Sequence, residues 1–304
     1  MNHDIIRWLM DGDVSIQYQT SRDLLGIDDQ GLQARIPHEG WGKQFLDAMN
    51  PDQSWGRSFY QPKWTSTHYT LFDLKHLMLP PDTSPVREII EELAQKVKAP
   101  DGGINPAKTT SYSDVCVSGM FLSYACWFRV SQERITSVAD SIIDLRMGDG
   151  GFNCISGASH SSLHSTLSVL EGIHQYLHQG YRYRAQKLEA AAHQAVEFLL
   201  KHRLFKSDRT GEIINRSMLR FSHPPRWHYS VVRALDYLRC SNYPWDSRMN
   251  DALELVVQKR KPDGRWVLHA PPPGQVHLTM EQSGAPSRWV TLACLRILAH
   301  YGYR

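Results

Sequence analysis

Three places in the 304-residue chain bring a proline, a cation and a tryptophan together: Pro62-Lys63-Trp64, Pro225-Arg226-Trp227 and Pro286-Ser287-Arg288-Trp289. A cation beside an indole suits a ligand with an anionic head and an apolar body, the charge holding one end and the ring face the other. Histidine–tyrosine pairs follow two of them, His68-Tyr69 and His228-Tyr229. Imidazole exchanges its proton nearest neutral pH, so His68 and His228 are candidate acid–base groups, with Tyr69 on the substrate side; a hydrogen-bonded core histidine is the alternative for each. Carboxylates on the apolar segments are few, namely Asp73, Glu171 and Asp236, and cations such as Lys75 and Arg233 stand near enough in sequence to pair with them. If the three tryptophan segments are equivalent places in a repeat, Lys63, Arg226 and Arg288 share one electropositive mouth walled by Trp64, Trp227 and Trp289. Replacing either arginine is then expected to weaken ligand binding and leave stability nearly unchanged.

A repeat is visible. Asp52-Gln53-Ser54-Trp55, Asp101-Gly102-Gly103-Ile104, Asp149-Gly150-Gly151-Phe152 and Asp263-Gly264-Arg265-Trp266 share a turn that ends in a bulky apolar residue, and Thr210-Gly211-Glu212-Ile213 is a degenerate copy. Such a turn stops one helix and anchors the loop in a core. Strongly apolar segments at 13–25, 64–79, 114–128, 162–177, 226–238 and 288–301 alternate with amphipathic ones at 4–10, 31–49, 85–97, 133–145, 184–202 and 246–260. Val86, Ile89, Ile90, Leu93 and Val97 keep the helical i, i+3, i+4, i+7 rhythm, and no segment alternates as a strand does. The pattern predicts an all-α single domain over 1–304, an α/α toroid of six helical hairpins with apolar helices inside and amphipathic helices outside. An open solenoid of the same hairpins is the competing architecture. The run Ala270-Pro271-Pro272-Pro273-Gly274 reads as a stiff loop able to lid one face.

Composition narrows the function classes. With 34 basic against 31 acidic residues and a net charge of +3, nothing demands nucleic acid or an acidic membrane surface. No apolar run is long enough for a transmembrane helix, and the first residues do not read as a secretory signal. The five cysteines, at 116, 126, 154, 240 and 294, are odd in number and form no Cys-x-x-Cys pair, so a reducing cytoplasm is expected.

The Asp-Gly-Gly-Phe turns, and the helix opening His164-Ser165-Thr166-Leu167-Ser168-Val169-Leu170-Glu171-Gly172-Ile173, resemble those of the terpenoid cyclase and protein prenyltransferase superfamily, including squalene-cyclase-like bacterial proteins. The likeness spans nearly the whole chain as a repeat pattern. It implies an enzyme acting on an isoprenoid or other large apolar small molecule in a central aromatic-lined cavity. Asp114-Val115-Cys116 resembles the Asp-x-Cys pair that binds catalytic zinc in prenyltransferase β subunits, which implies Asp114, Cys116 and His164 as metal ligands, Asp114 thereby joining the catalytic groups. Three protein ligands leave a position open for substrate or water. Aligning Thr166 and Gly172 with the family frame places Ser165 at the histidine's position, and His160 and Cys154 are substitutes for His164. The family's diphosphate-holding cations reduce to Lys108, with Ser111 at the second place. A structural role is the other reading: Asp114 as helix cap, Cys116 as buried hydrophobe. Neither an Asp-x-Asp-Asp nor an Asp-Asp-x-x-Asp motif is present. A carbohydrate-active α/α barrel, with paired cavity carboxylates, and a non-catalytic ligand-binding toroid are the alternatives.

Overall fold

The computed structural model describes residues 3–107 and 111–303. Its α-helices are α1 (His3–Met10), α2 (Val14–Leu24), α3 (Gln30–Arg35), α4 (Gly40–Asp47), α5 (Thr67–His76), α6 (Val86–Lys96), α7 (Val115–Trp127), α8 (Gln132–Asp144), α9 (Leu163–His178), α10 (Ala185–Lys201), α11 (Val231–Cys240), α12 (Asn250–Gln258) and α13 (Arg288–His300). Among the described residues no strand forms, and β pairing is confined to isolated bridges such as Lys98 with Ile104. No helix is long and apolar enough to cross a membrane. Two kinds of helix alternate. In α7 every residue from 115 to 126 is buried, whereas α6 buries one stripe of Val86, Ile89, Ile90 and Ala94.

Two elements differ from the sequence expectation. The predicted helix over 31–49 is broken, because Pro37 has no N–H to continue the ladder and Gly40 turns the chain at φ 62°, a conformation that glycine adopts freely. The Asp13 carboxylate occupies the space a side chain at Gly40 would need. It takes the Trp41 N–H at 2.7 Å and caps α2 through the Ser15 N–H at 2.9 Å. The second difference is that α11 begins at Val231 rather than near 226. Arg226 holds a left-handed φ of 57°, and Ser230 is the cap, its hydroxyl accepting the Arg233 N–H.

The Asp-Gly turns share one construction. Gly102, Gly150 and Gly264 have φ of 85°, 93° and 81°, and the apolar residue that ends each turn, like Trp55 in the first copy, is fully buried. Its N–H is taken by a hydroxyl on the next buried helix: Trp55 by Thr67 (3.0 Å), Ile104 by Ser118 (2.9 Å), Phe152 by Thr166 (3.0 Å) and Trp266 by Thr291 (3.1 Å). Asp101 accepts the Ser113 N–H and hydroxyl, and Asp149 does the same for Ser161. The turn is thereby tied to the loop that enters the next helix. Burying each anchor side chain contributes roughly 1.5–3 kcal/mol. The degenerate copy lacks this anchor, since Ile213 is exposed.

The buried helices α5, α7, α9, α11 and α13 pack in that order, and α13 returns to pack on α2. Gln19 on α2 donates to the His76 carbonyl of α5 at 3.1 Å. The tightest of these contacts joins α7 to α9. A Cβ on Gly119 would collide with the Ser168 carbonyl, and one on Gly172 with the Gly119 carbonyl, so the two backbones meet where side chains are absent.

Candidate functional site

That glycine contact sets the separation of the helix starts at which the candidate ligands sit. Asp114 is the N-cap of α7, its Oδ1 accepting the Cys116 and Val117 N–H groups at 2.8 and 3.1 Å, which leaves Oδ2 outside the cap. Cys116, in the first turn of the helix, places its Sγ 3.0 Å from Ser165 Oγ on α9. Ser165 Oγ also accepts the Cys154 N–H at 3.1 Å, binding the loop after Phe152 to the same point. The potential ligand atoms of Asp114, Cys116 and Cys154 all lie within 4.8 Å of one another. Burial pushes the Asp114 carboxyl up, against the two cap bonds. Cys116 is also pushed well up, by donating toward Cys154 and by burial, while the same contact brings Cys154 down to about 7. Two thiols and a carboxylate oxygen in this compass suit zinc, which takes both donor types in four-coordinate sites.

His164 is not in this group. Its Nδ1 accepts the Tyr229 N–H at 2.9 Å, its ring lies 5.2 Å from that of Trp227, and burial together with Arg233 lowers it to about 4. Cys154 stands in its place, and Ser165 occupies the position to which the family frame assigns a histidine. His160 gives its carbonyl to Asn153 Nδ2 and shapes the loop. Lys108 lies outside the described residues.

Beside the thiols stands Lys63, whose ammonium lies 5.9, 5.2 and 5.1 Å from the ring centres of Tyr60, Trp64 and Trp227. Burial lowers its pKa, opposed by the charges of Asp114, Cys116 and Cys154. Lys63, Trp64, Trp227 and His228 line a pocket of about 290 Å³ closed on one side by residues 270–273. Trp64 donates its indole N–H to the Pro273 carbonyl at 2.7 Å, so the proline run lies over this pocket. Trp227 has a buried indole N–H without a partner among the described residues. His228 stacks on Trp227 at 3.9 Å and is held neutral at about 4 by burial and His164.

Other candidates serve the architecture. Arg226 is only 5% exposed. It faces Asp73 at 3.6 Å, donates to the Trp64 carbonyl at 2.9 Å and covers the Trp64 ring. Arg288 donates to the Trp8 carbonyl at 2.9 Å and lies over the Trp8 ring. Of Lys63, Arg226 and Arg288, only Lys63 therefore lines the pocket, with Arg220 as a further cation in its wall, and the expected mouth of three cations is not assembled. Trp289 stacks on His223 at 4.2 Å, away from Trp64. His68 is fully buried among Phe59, Tyr60, Tyr69 and Tyr124, its Nδ1 3.2 Å from the Tyr124 hydroxyl, and burial lowers it to about 3. It is a core histidine. Tyr69 is equally buried and shares a hydrogen bond with the Tyr60 hydroxyl at 2.9 Å. Tyr60 is the ring beside Lys63 that the sequence pattern missed, since it lies in a loop outside the helical rhythm.

A larger cavity, about 470 Å³, opens among α2, α5, α9, α11 and α13. Its carboxylates are bound by arginines. Glu171 takes two bonds from Arg233, and Asp236 is held by Arg296 and Arg239. Burial alone would raise Asp236, but the two guanidiniums hold it at about 2. Compared with known proteins, the chain matches no protein-family model and no curated protein. The functional reading therefore stands on the residues of the site.

Proposed function

We propose that the chain is a single-domain α/α toroid of six hairpins, closed where α13 meets α2, and an enzyme of the prenyltransferase and squalene-cyclase-like class. Its reacting centre would be a zinc ion held by Asp114, Cys116 and Cys154. The observation that carries this reading is the convergence of those three donors beside Lys63 and its aromatic faces. Bound there, zinc would act as a Lewis acid or stabilise a substrate thiolate at its open position. Lys63 would hold the anionic head of an isoprenoid-like or other apolar substrate, with Trp64, Trp227 and Tyr60 as walls and the Trp227 indole N–H as a donor. Neutral His228 at the pocket wall is available to accept a proton at its imidazole. Five free cysteines favour a reducing compartment, and we place the chain in the cytoplasm. A carbohydrate-active barrel fits less well, because Glu171 and Asp236 are arginine-bound and Asp73 is buried against Arg226.

The test is elemental analysis of protein purified without chelators, together with cobalt loading. The expected result is about one equivalent of zinc and a cobalt–thiolate absorption band, both lost in Cys116→Ser and Cys154→Ser and retained in His164→Gln. Less than about a tenth of an equivalent, with no cobalt band, would remove the metal from the reading. Metal binding without turnover of any prenyl diphosphate would leave the non-catalytic toroid.

A further inference from the structure

The larger cavity has a hydrogen-bonding imbalance that the zinc reading does not use. Five cations line it, Arg22, Lys75, Arg233, Arg239 and Arg296, against three carboxylates, Asp23, Glu171 and Asp236. Every carboxylate is bound by arginine: Asp23 by Arg22 and Arg296, Glu171 by Arg233, Asp236 by Arg239 and Arg296. The arginines thus consume the acceptors. The Lys75 ammonium, on α5, has no ion pair or hydrogen bond among the described residues, although Glu171 and Asp236 stand near enough to raise its pKa against the effect of burial. Gln175, on α9, lines the same cavity at 7% exposure with its side-chain N–H₂ group unpartnered. Trp289, on α13, lines it at 6% exposure, and its indole N–H is also unpartnered.

Three kinds of donor therefore line one cavity in which every carboxylate is already engaged. Leaving buried donors unpaired costs on the order of 1–3 kcal/mol each, and Lys75 adds an ammonium whose neighbouring carboxylates already serve arginines. A ligand that carries acceptor oxygens and negative charge relieves both. The volume lies within the range of ordinary small-molecule sites, and Trp127, Phe221 and Tyr237 give it aromatic wall.

We propose that this cavity is a binding site for a small organic anion, its carboxylate or phosphoryl oxygens received by Lys75 and Gln175 and its body lying against the aromatic wall. The site is separate from the thiol cluster. Lys63 and Trp227 line the smaller pocket, and the two spaces share only Ser222, Pro225 and Ser230 in their walls. The inference does not depend on zinc.

The experiment is titration calorimetry and thermal shift on chelator-treated full-length protein, with inorganic phosphate and benzoate as probes and sodium chloride at matched ionic strength as control. Saturable binding of at least one probe is expected; which of the two binds more tightly separates a phosphoryl from a carboxylate ligand. Lys75→Met and Gln175→Leu should each weaken that binding about ten-fold or more, the worth of a hydrogen bond to a charged group. Lys63→Met should not change it. Without ligand, Lys75→Met should melt at the same temperature as the parent or higher, because the ammonium removed has no ion pair of its own and crowds a cavity already rich in arginine. Four results would overturn the proposal: no binding beyond the chloride control, unchanged binding in Lys75→Met, loss of binding in Lys63→Met, or a large fall in the ligand-free melting temperature of Lys75→Met.

Discussion

Arg226 and Lys63 occupy matching places in the sequence, each between a proline and a tryptophan, and do opposite work. Lys63 stands over three ring faces at the pocket, whereas Arg226 is turned inward by a left-handed backbone and neutralises Asp73. The Asp73 carboxylate makes no hydrogen bond among the described residues and is raised to about 6 by burial, with Arg226 opposing. Arg226→Met should therefore destabilise the protein by roughly 3–5 kcal/mol, the range for stranding one member of a buried pair. Arg226→Met combined with Asp73→Asn should recover a large part of that loss, as denaturant unfolding will show; equal stability of Arg226→Met and parent would return the residue to the ligand site. Residue identity alone could not separate the two cations, because their fates depend on φ at 226 and on a carboxylate from another helix. The Asp-x-Cys motif was legible, and its two readings proved compatible: one oxygen of Asp114 caps α7 while the other remains outside the cap. Which third donor joins it was not legible, since a loop hydrogen bond to Ser165 places Cys154, and no helical spacing encodes that.

Between α7 and α9 the packing is governed by two missing side chains. Gly172→Ala should press a methyl group into the Gly119 carbonyl, at a cost of about 1–3 kcal/mol for an overpacked contact. It should also shift Ser165 relative to Cys116, lowering zinc or cobalt uptake in protein that remains helical. Full metal uptake at reduced stability would mean that the loop rather than the helix pair sets the ligand geometry. Helix existence was readable from apolar rhythm at nearly every element, and the Asp-Gly turns were readable as anchors. Their hydroxyl partners, Thr67, Ser118, Thr166 and Thr291, were less visible, because each lies inside an apolar helix where a small polar residue looks like an ordinary interruption. The late start of α11 was hidden for a related reason: Arg226 to Tyr229 continues the apolar composition without the helical backbone.

At the scale of the whole molecule, the contact of α13 with α2 is the decisive one, and its polar centre is Arg296. That side chain joins Asp23 of α2 to Asp236 of α11. Arrays of helical pairs that contact only their sequence neighbours melt from their ends, each terminal unit having one partner instead of two. A chain whose last buried helix rests on its first has no such end. Its unfolding should then be all-or-none, with near-ultraviolet and far-ultraviolet signals falling together and a denaturant slope set by the whole surface exposed. Arg296→Met, which removes the one arginine that the two carboxylates at the seam share, should part those signals and flatten the slope as the units near α1 and α13 acquire the freedom to fray. Cooperativity in this protein should thus be a property of the seam, with one guanidinium deciding whether the molecule melts as a whole or in pieces.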